Sequence, residues 1–207
     1  MEKIEWMGRV LGVQPRIRLW RSFDERGHSY LGYCLFLDGT IGGEWREFSV
    51  GIGKVAQAKH AFRVGDEVSG VGVPVADSRR EPVELYRASR LRVVRGGEAE
   101  GGAPPPWSGV PPDLETYRWR GHRRLSARTY GAKCRSCIWG CRMAVEMVID
   151  PWNPRTEYRQ ETFCYGPLSC TFYKAGPRRV VPGRKGMRYE EPDWVDEQET
   201  EHRGWEE

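Results

Sequence analysis

The sequence predicts a mainly β protein: a small five-stranded barrel over residues 1–95, a basic, cysteine-rich β-hairpin module over 114–188, and an acidic tail over 189–207. Three observations predict it. Residues 5–95 break into short apolar runs separated by Gly, Pro and Asp, the pattern of strands in a small barrel or sandwich. Residues 96–113 are too rich in Gly and Pro for a regular element and read as a linker. Five of the six cysteines fall between Cys134 and Cys170.

The 207 residues suffice for one large unit or two small ones, and nine tryptophans compensate for a hydrophobic content of only 39%. No apolar run approaches the roughly 20 residues of a membrane span, so no membrane partner is expected. The start Met-Glu-Lys-Ile-Glu-Trp lacks the basic and apolar regions of a signal peptide. A cytoplasmic setting is therefore expected, where thiols stay reduced and clustered cysteines bind metal.

Trp6 to Val13, extended through Ile17 and Leu19, gives the first strand. Ser29 to Leu37 gives the second and closes on the turn pair Asp38-Gly39. Glu47 to Ile52, Glu67 to Val75 and Val83 to Val94 give three more. Between the third and fourth, Lys54 to Phe62 is the one helix-friendly piece. Five strands with a helix in that place, and the entry Phe62-Arg-Val-Gly-Asp-Glu-Val, resemble an OB-fold; a six-stranded sandwich is the alternative. Gly51-Ile-Gly53-Lys54 lacks the spacer and the hydroxyl residue of a phosphate loop and reads as a strand end. Cys34, within Tyr-Leu-Gly-Tyr-Cys-Leu-Phe-Leu, reads as a buried hydrophobe.

Charge is segregated beneath a net +4. Residues 116–188 carry 16 basic and four acidic side chains, net +12, and residues 189–207 carry one basic and nine acidic, net −8. Residues 117–130 interleave Arg118, Trp119, Arg120, Arg123, Arg124, Arg128 and Tyr130, which suits phosphate contacts beside base stacking. Met143 to Ile149 and Thr156 to Phe163 form a hairpin about the turn at 150–154. Residues 173–186 read as basic loop, and the tail as disordered. Charge of opposite sign should draw that tail over Arg118 to Arg128 as a mimic of nucleic acid.

The cysteines admit two metal centres. Cys134 and Cys137 paired with Cys164 and Cys170 make two pairs about a hairpin, the arrangement of a structural zinc site, with Cys141 spare. Four thiolates including Cys141 would instead hold an iron–sulfur cube. Cys134-x2-Cys137-x2-Gly140-Cys141-x28-Cys170 resembles the iron–sulfur motif of the molybdopterin oxidoreductases, such as the formate dehydrogenases, over about 45 residues. That resemblance implies a [4Fe–4S] cluster on Cys134, Cys137, Cys141 and Cys170, with Cys164 spare or alternative, and it favours the cube. The family's pterin-binding domains are absent, so its catalysis is not implied. Either metal would staple a module whose own core is too small to fold alone.

His28, His60, His122 and His202 make no catalytic pairing, His122 reads as a surface residue, and no nucleophile or paired-carboxylate motif stands out. The expected function is binding of nucleic acid, DNA or RNA, by the barrel and the basic patch. The alternatives are an electron-transfer subunit docking on a larger redox partner, or a zinc-stapled assembly factor.

Overall fold

The computed structural model describes residues 2–22, 25–97, 103–150, 152 and 156–204. β1 (Ile4–Arg21) pairs with three other strands. In its first half Trp6, Gly8 and Val10 face inward while Glu5, Met7 and Arg9 face out, the period-two alternation of a half-buried strand. It pairs antiparallel with β2 (Arg26–Ile41) over nearly its whole length.

β2 turns into β3 (Glu44–Ile52) at Gly42-Gly43, whose φ values of 58° and 92° belong to a tight hairpin turn that glycine adopts at no steric cost. The expected turn pair Asp38-Gly39 instead lies within β2, opposite Arg9 and Gly8. Gly39 is needed there because a side chain would strike the backbone of β1.

After α1 (Lys54–His60) comes β4 (Glu67–Pro74), which pairs with the first half of β1. β5 (Leu85–Arg95) runs antiparallel to β4 and meets β3 in parallel at Val50–Leu85. The ring β1-β2-β3-β5-β4 is thereby closed.

The second half of the chain does not fold apart from this ring. α2 (Leu114–Arg120) is capped by Asp113, whose side chain accepts from the Thr116 amide at 2.8 Å. β6 (Arg123–Arg124) follows, then α3 (Ala127–Thr129) running into a wide π-turn at Tyr130–Cys134. β7 (Gly140–Val148) and β8 (Thr156–Cys164) are the expected hairpin, and β8 also pairs with β6.

β7 lies parallel against β1, Arg18–Arg21 opposite Ala144–Met147, so the hairpin extends the sheet of the ring. One core runs through both halves: Met143, Val145, Phe163 and Tyr165 are buried with Val13, Ile17 and Leu19. The linker at 96–113 thus separates no two cores. Its residues 98–102, most of the turn at 150–154 and the last three residues lie outside the described residues.

The stretch read as basic loop supplies β9 (Val180–Pro182), and the first residues of the tail read as disordered pair with it in β10 (Arg188–Glu190), a two-stranded ribbon. The tail read as disordered forms α4 (Trp194–Thr200) and docks. Asp193 and Asp196 pair with Arg124, Glu191 with Arg21 and Arg26, and Glu199 with Arg26. Arg21 and Arg124 are buried, and a buried guanidinium requires such partners. Among the described residues no helix is long and apolar enough to cross a membrane.

Candidate metal centre

The open end of the β7–β8 hairpin brings the two cysteine groups together, Gly140 standing opposite Cys164. Cys134 ends the π-turn. The chain then folds through two tight turns, the Cys137 amide donating to the Cys134 carbonyl and the Gly140 amide to the Cys137 carbonyl, both at 3.1 Å. On the other side the Cys170 amide donates to the Pro167 carbonyl at 3.1 Å. Cys134, Cys137, Cys164 and Cys170 line one cavity of about 10 Å³, walled by Trp107 and Trp139. That is room for about one water-sized sphere.

The thiols sit among donors suited to thiolate. Cys164 Sγ accepts from the Gly166 amide at 3.3 Å, and Cys137 Sγ accepts from the amides of Trp139 and Trp107. The amide two residues after the cysteine serves in both cases. Arg123 lies beside Cys164 and favours its anion, while Lys133 lies over the Phe172 ring. Burial nevertheless pushes the Cys134 thiol up to about 12 and Cys137 to about 11, and neighbouring thiols add to the effect. Among the described residues no three His, Cys, Asp or Glu side chains converge closely enough to hold a metal ion as they stand.

Cys141 is elsewhere. It is fully buried in the main core, and its Sγ donates to the Pro15 carbonyl at 3.4 Å. The reason is strand geometry: Cys141 is the second residue of β7 and points to the ring side of the sheet, away from the cavity. The cube ligand set is therefore not assembled, whereas the two-pair set is brought around one cavity. Cys34 is buried as expected, with its thiol pushed up to about 12 by burial.

Gln14 was not visible as a functional residue. Only 1% exposed, it donates Nε2 to the carbonyls of Cys134 at 2.7 Å, Cys137 at 2.9 Å and Arg135 at 3.3 Å. Its Oε1 accepts from Tyr130 at 2.8 Å. Gly12 lets β1 approach this loop, since a side chain there would strike the Arg135 carbonyl. A polar residue at a buried strand position was the available signal, but nothing in the sequence named its partners 120 residues away.

The interleaved basic stretch is divided between inside and outside. Arg120 is buried, donating to the Tyr165 carbonyl at 2.6 Å and lying 4.5 Å over Trp139. Arg123 lies 3.7 Å over Tyr173 and donates to the Pro167 carbonyl at 3.0 Å. Arg124 is held by the tail carboxylates, and Tyr130 by Gln14. Arg118, Trp119 and Arg128 are exposed; Arg118 pairs with Glu115, and His202 of the tail bonds the Trp119 carbonyl at 2.6 Å.

His122 is buried rather than superficial, packed edge-on against Phe163 and 4.9 Å from His28. Burial and the nearby arginines push His28 down to about 4 and His122 well below the ordinary range. In comparisons with family models, curated proteins and solved structures, the chain matches none.

Proposed function

We propose that this chain is a non-catalytic nucleic-acid-binding protein built on an OB-like barrel and stapled by one structural zinc ion on Cys134, Cys137, Cys164 and Cys170. The ring order β1-β2-β3-β5-β4 with α1 between β3 and β4 supports the barrel reading. The cavity shared by the four thiols, and the amides aimed at Cys137 and Cys164, support the staple; Cys134, Cys137, Cys164 and Cys170 would hold the ion as thiolates. Its size and the removal of Cys141 to the core favour one zinc over a [4Fe–4S] cube. The electron-transfer reading loses its motif with that ligand.

The observation that carries nucleic-acid binding is on β5. Arg87, Arg90, Arg92 and Arg95 are exposed and have no ion-pair partner among the described residues, while the inward arginines of the second half are consumed by carbonyls and carboxylates. Four guanidiniums without a carboxylate partner on one strand, one of them lying over the Tyr86 ring, favour a polyanion.

Metal analysis and a visible spectrum of the purified protein test the staple. Colourless protein with one zinc per chain is expected, and a brown protein with a band near 400 nm overturns it. A binding titration against labelled single strands at two salt concentrations tests the function; affinity should fall steeply as salt rises.

A further inference from the structure

We infer that a single nucleic-acid strand binds across the outside of the ring, along one row of side chains in register on all five strands. The inference rests on the nucleic-acid reading and assigns it a place. The pairings put Trp45 opposite Thr40, Thr40 opposite Met7, Met7 opposite Ser69, and Ser69 opposite Arg92. Directly opposed residues of paired strands share a face, so these five form a continuous outward row from β3 to β5. At about 4.8 Å per strand the row is about 19 Å long.

The row is unusual in what it exposes. Trp45 at one end is 72% exposed and Met7 at the middle 51%, so an open aromatic and a thioether lead to a guanidinium at the other end. An open groove of about 660 Å³ follows the row from Thr40 through Met7 and Ser69 to Arg92, with Arg90 beside Arg92 along one wall and Glu5 as its carboxylate; Trp45 stands one strand beyond its lining. Bases stack on exposed aromatics whatever their sequence, and guanidiniums hold phosphate. The next row out, Glu47, Asp38, Arg9, Glu67 and Arg95, holds three acids and two bases and no aromatic, and offers no such surface.

The backbone of β5 is an independent observation. Between Ser69–Arg92 and Val71–Ser89, β5 spends one residue more than β4, and the same happens again before Val73–Tyr86. At these bulges Arg90 and Arg87 take φ values of 54° and 51°, the left-handed region where such bulges ordinarily place glycine. Arginine there is strained, and bulges re-aim side chains. The bulge sets Arg90 on the wall of the groove, at the cost of that strain.

The test is anisotropy of the full-length protein with labelled ten-nucleotide thymidine and uridine oligomers, at two salt concentrations. Trp45→Ala should weaken binding by about tenfold. Arg90→Gly combined with Arg92→Ala should weaken it as much and lower the salt slope by about 2. Arg90→Gly alone should raise the thermal midpoint, because glycine relieves the left-handed residue, so its loss of binding cannot be unfolding.

If the wild type binds and these variants bind equally well, while Arg118→Ala with Arg128→Ala does not, the row is not the interface although the function stands. If the wild type binds neither oligomer, both the function and the row fall. Equal affinity for a polyglutamate peptide would make the row a charge sink and overturn it. The two oligomers report which nucleic acid is preferred.

Discussion

Gln14 shows how one buried amide fixes a loop. Its Nε2 serves three carbonyls of the cysteine loop and its Oε1 takes the Tyr130 hydroxyl, so β1 holds that loop in place whether or not metal is bound. Gln14→Ala should cost about 2 kcal/mol, since buried polar groups lose their partner, and the urea midpoint measures it. Zinc content then discriminates among the cysteines. Cys141→Ala should keep one zinc per chain, because its thiol lies in the core, whereas Cys164→Ser should lose it; zinc lost from Cys141→Ala would reject the two-pair ligand set.

The two histidines give a pH dependence. A free imidazole titrates at about 6.5, and both folded-state values lie below that, His28 at about 4. The unfolded chain therefore takes up protons first. The stability from keeping these rings neutral is full above about pH 6.5 and is lost as pH falls toward 4. His122→Phe should flatten that fall, read as the difference in urea midpoint between pH 7 and pH 5.

Among the elements, α4 is the one whose role reverses. With the residues just before it, α4 pairs its carboxylates with Arg124 and Arg178 of the basic module, the kind of attraction the net charges of +12 and −8 suggest, and equally with Arg21 and Arg26 of the first half. It does not lie over an exposed patch, because Arg21 and Arg124 are buried and need carboxylates at fixed positions. Truncation after Arg188 should thus destabilise the fold by about 3 kcal/mol, by leaving Arg124 buried and unpaired. Arg124→Leu in the truncated chain should recover part of that loss. Equal denaturation midpoints for the full-length and truncated chains would mean the helix contributes nothing to the fold.

Across the whole molecule, β1 is the common member. It closes the ring through β2 and β4, pairs with β7, and carries Gln14 to the cysteine loop. Residues 1–97 expressed alone should fold poorly, because Ile17 and Leu19 lose the cover of β7 and β8. The expected result is dye binding to exposed apolar surface, and a broad unfolding transition where the full chain shows one sharp transition. A sharp, cooperative transition in the fragment would restore two independent units.

The strands of the ring, the helix between the third and fourth, and the β7–β8 hairpin were legible because period-two alternation and Gly/Pro punctuation act over a few residues. The cysteine concentration likewise pointed to the cavity that four of these residues line. The sequence could not say which thiols line one cavity, because that depends on which side of β7 Cys141 points and on the hairpin's register. Nor could it separate Arg120 and Arg124 from Arg118 and Arg128, since alternating Arg and aromatic residues read alike whether they face carbonyls or water. The sheet continues from one half into the other through four residue pairs between β1 and β7, more than 120 positions apart. Local propensity carries no record of such a contact; only burial of the shared apolar face decides it.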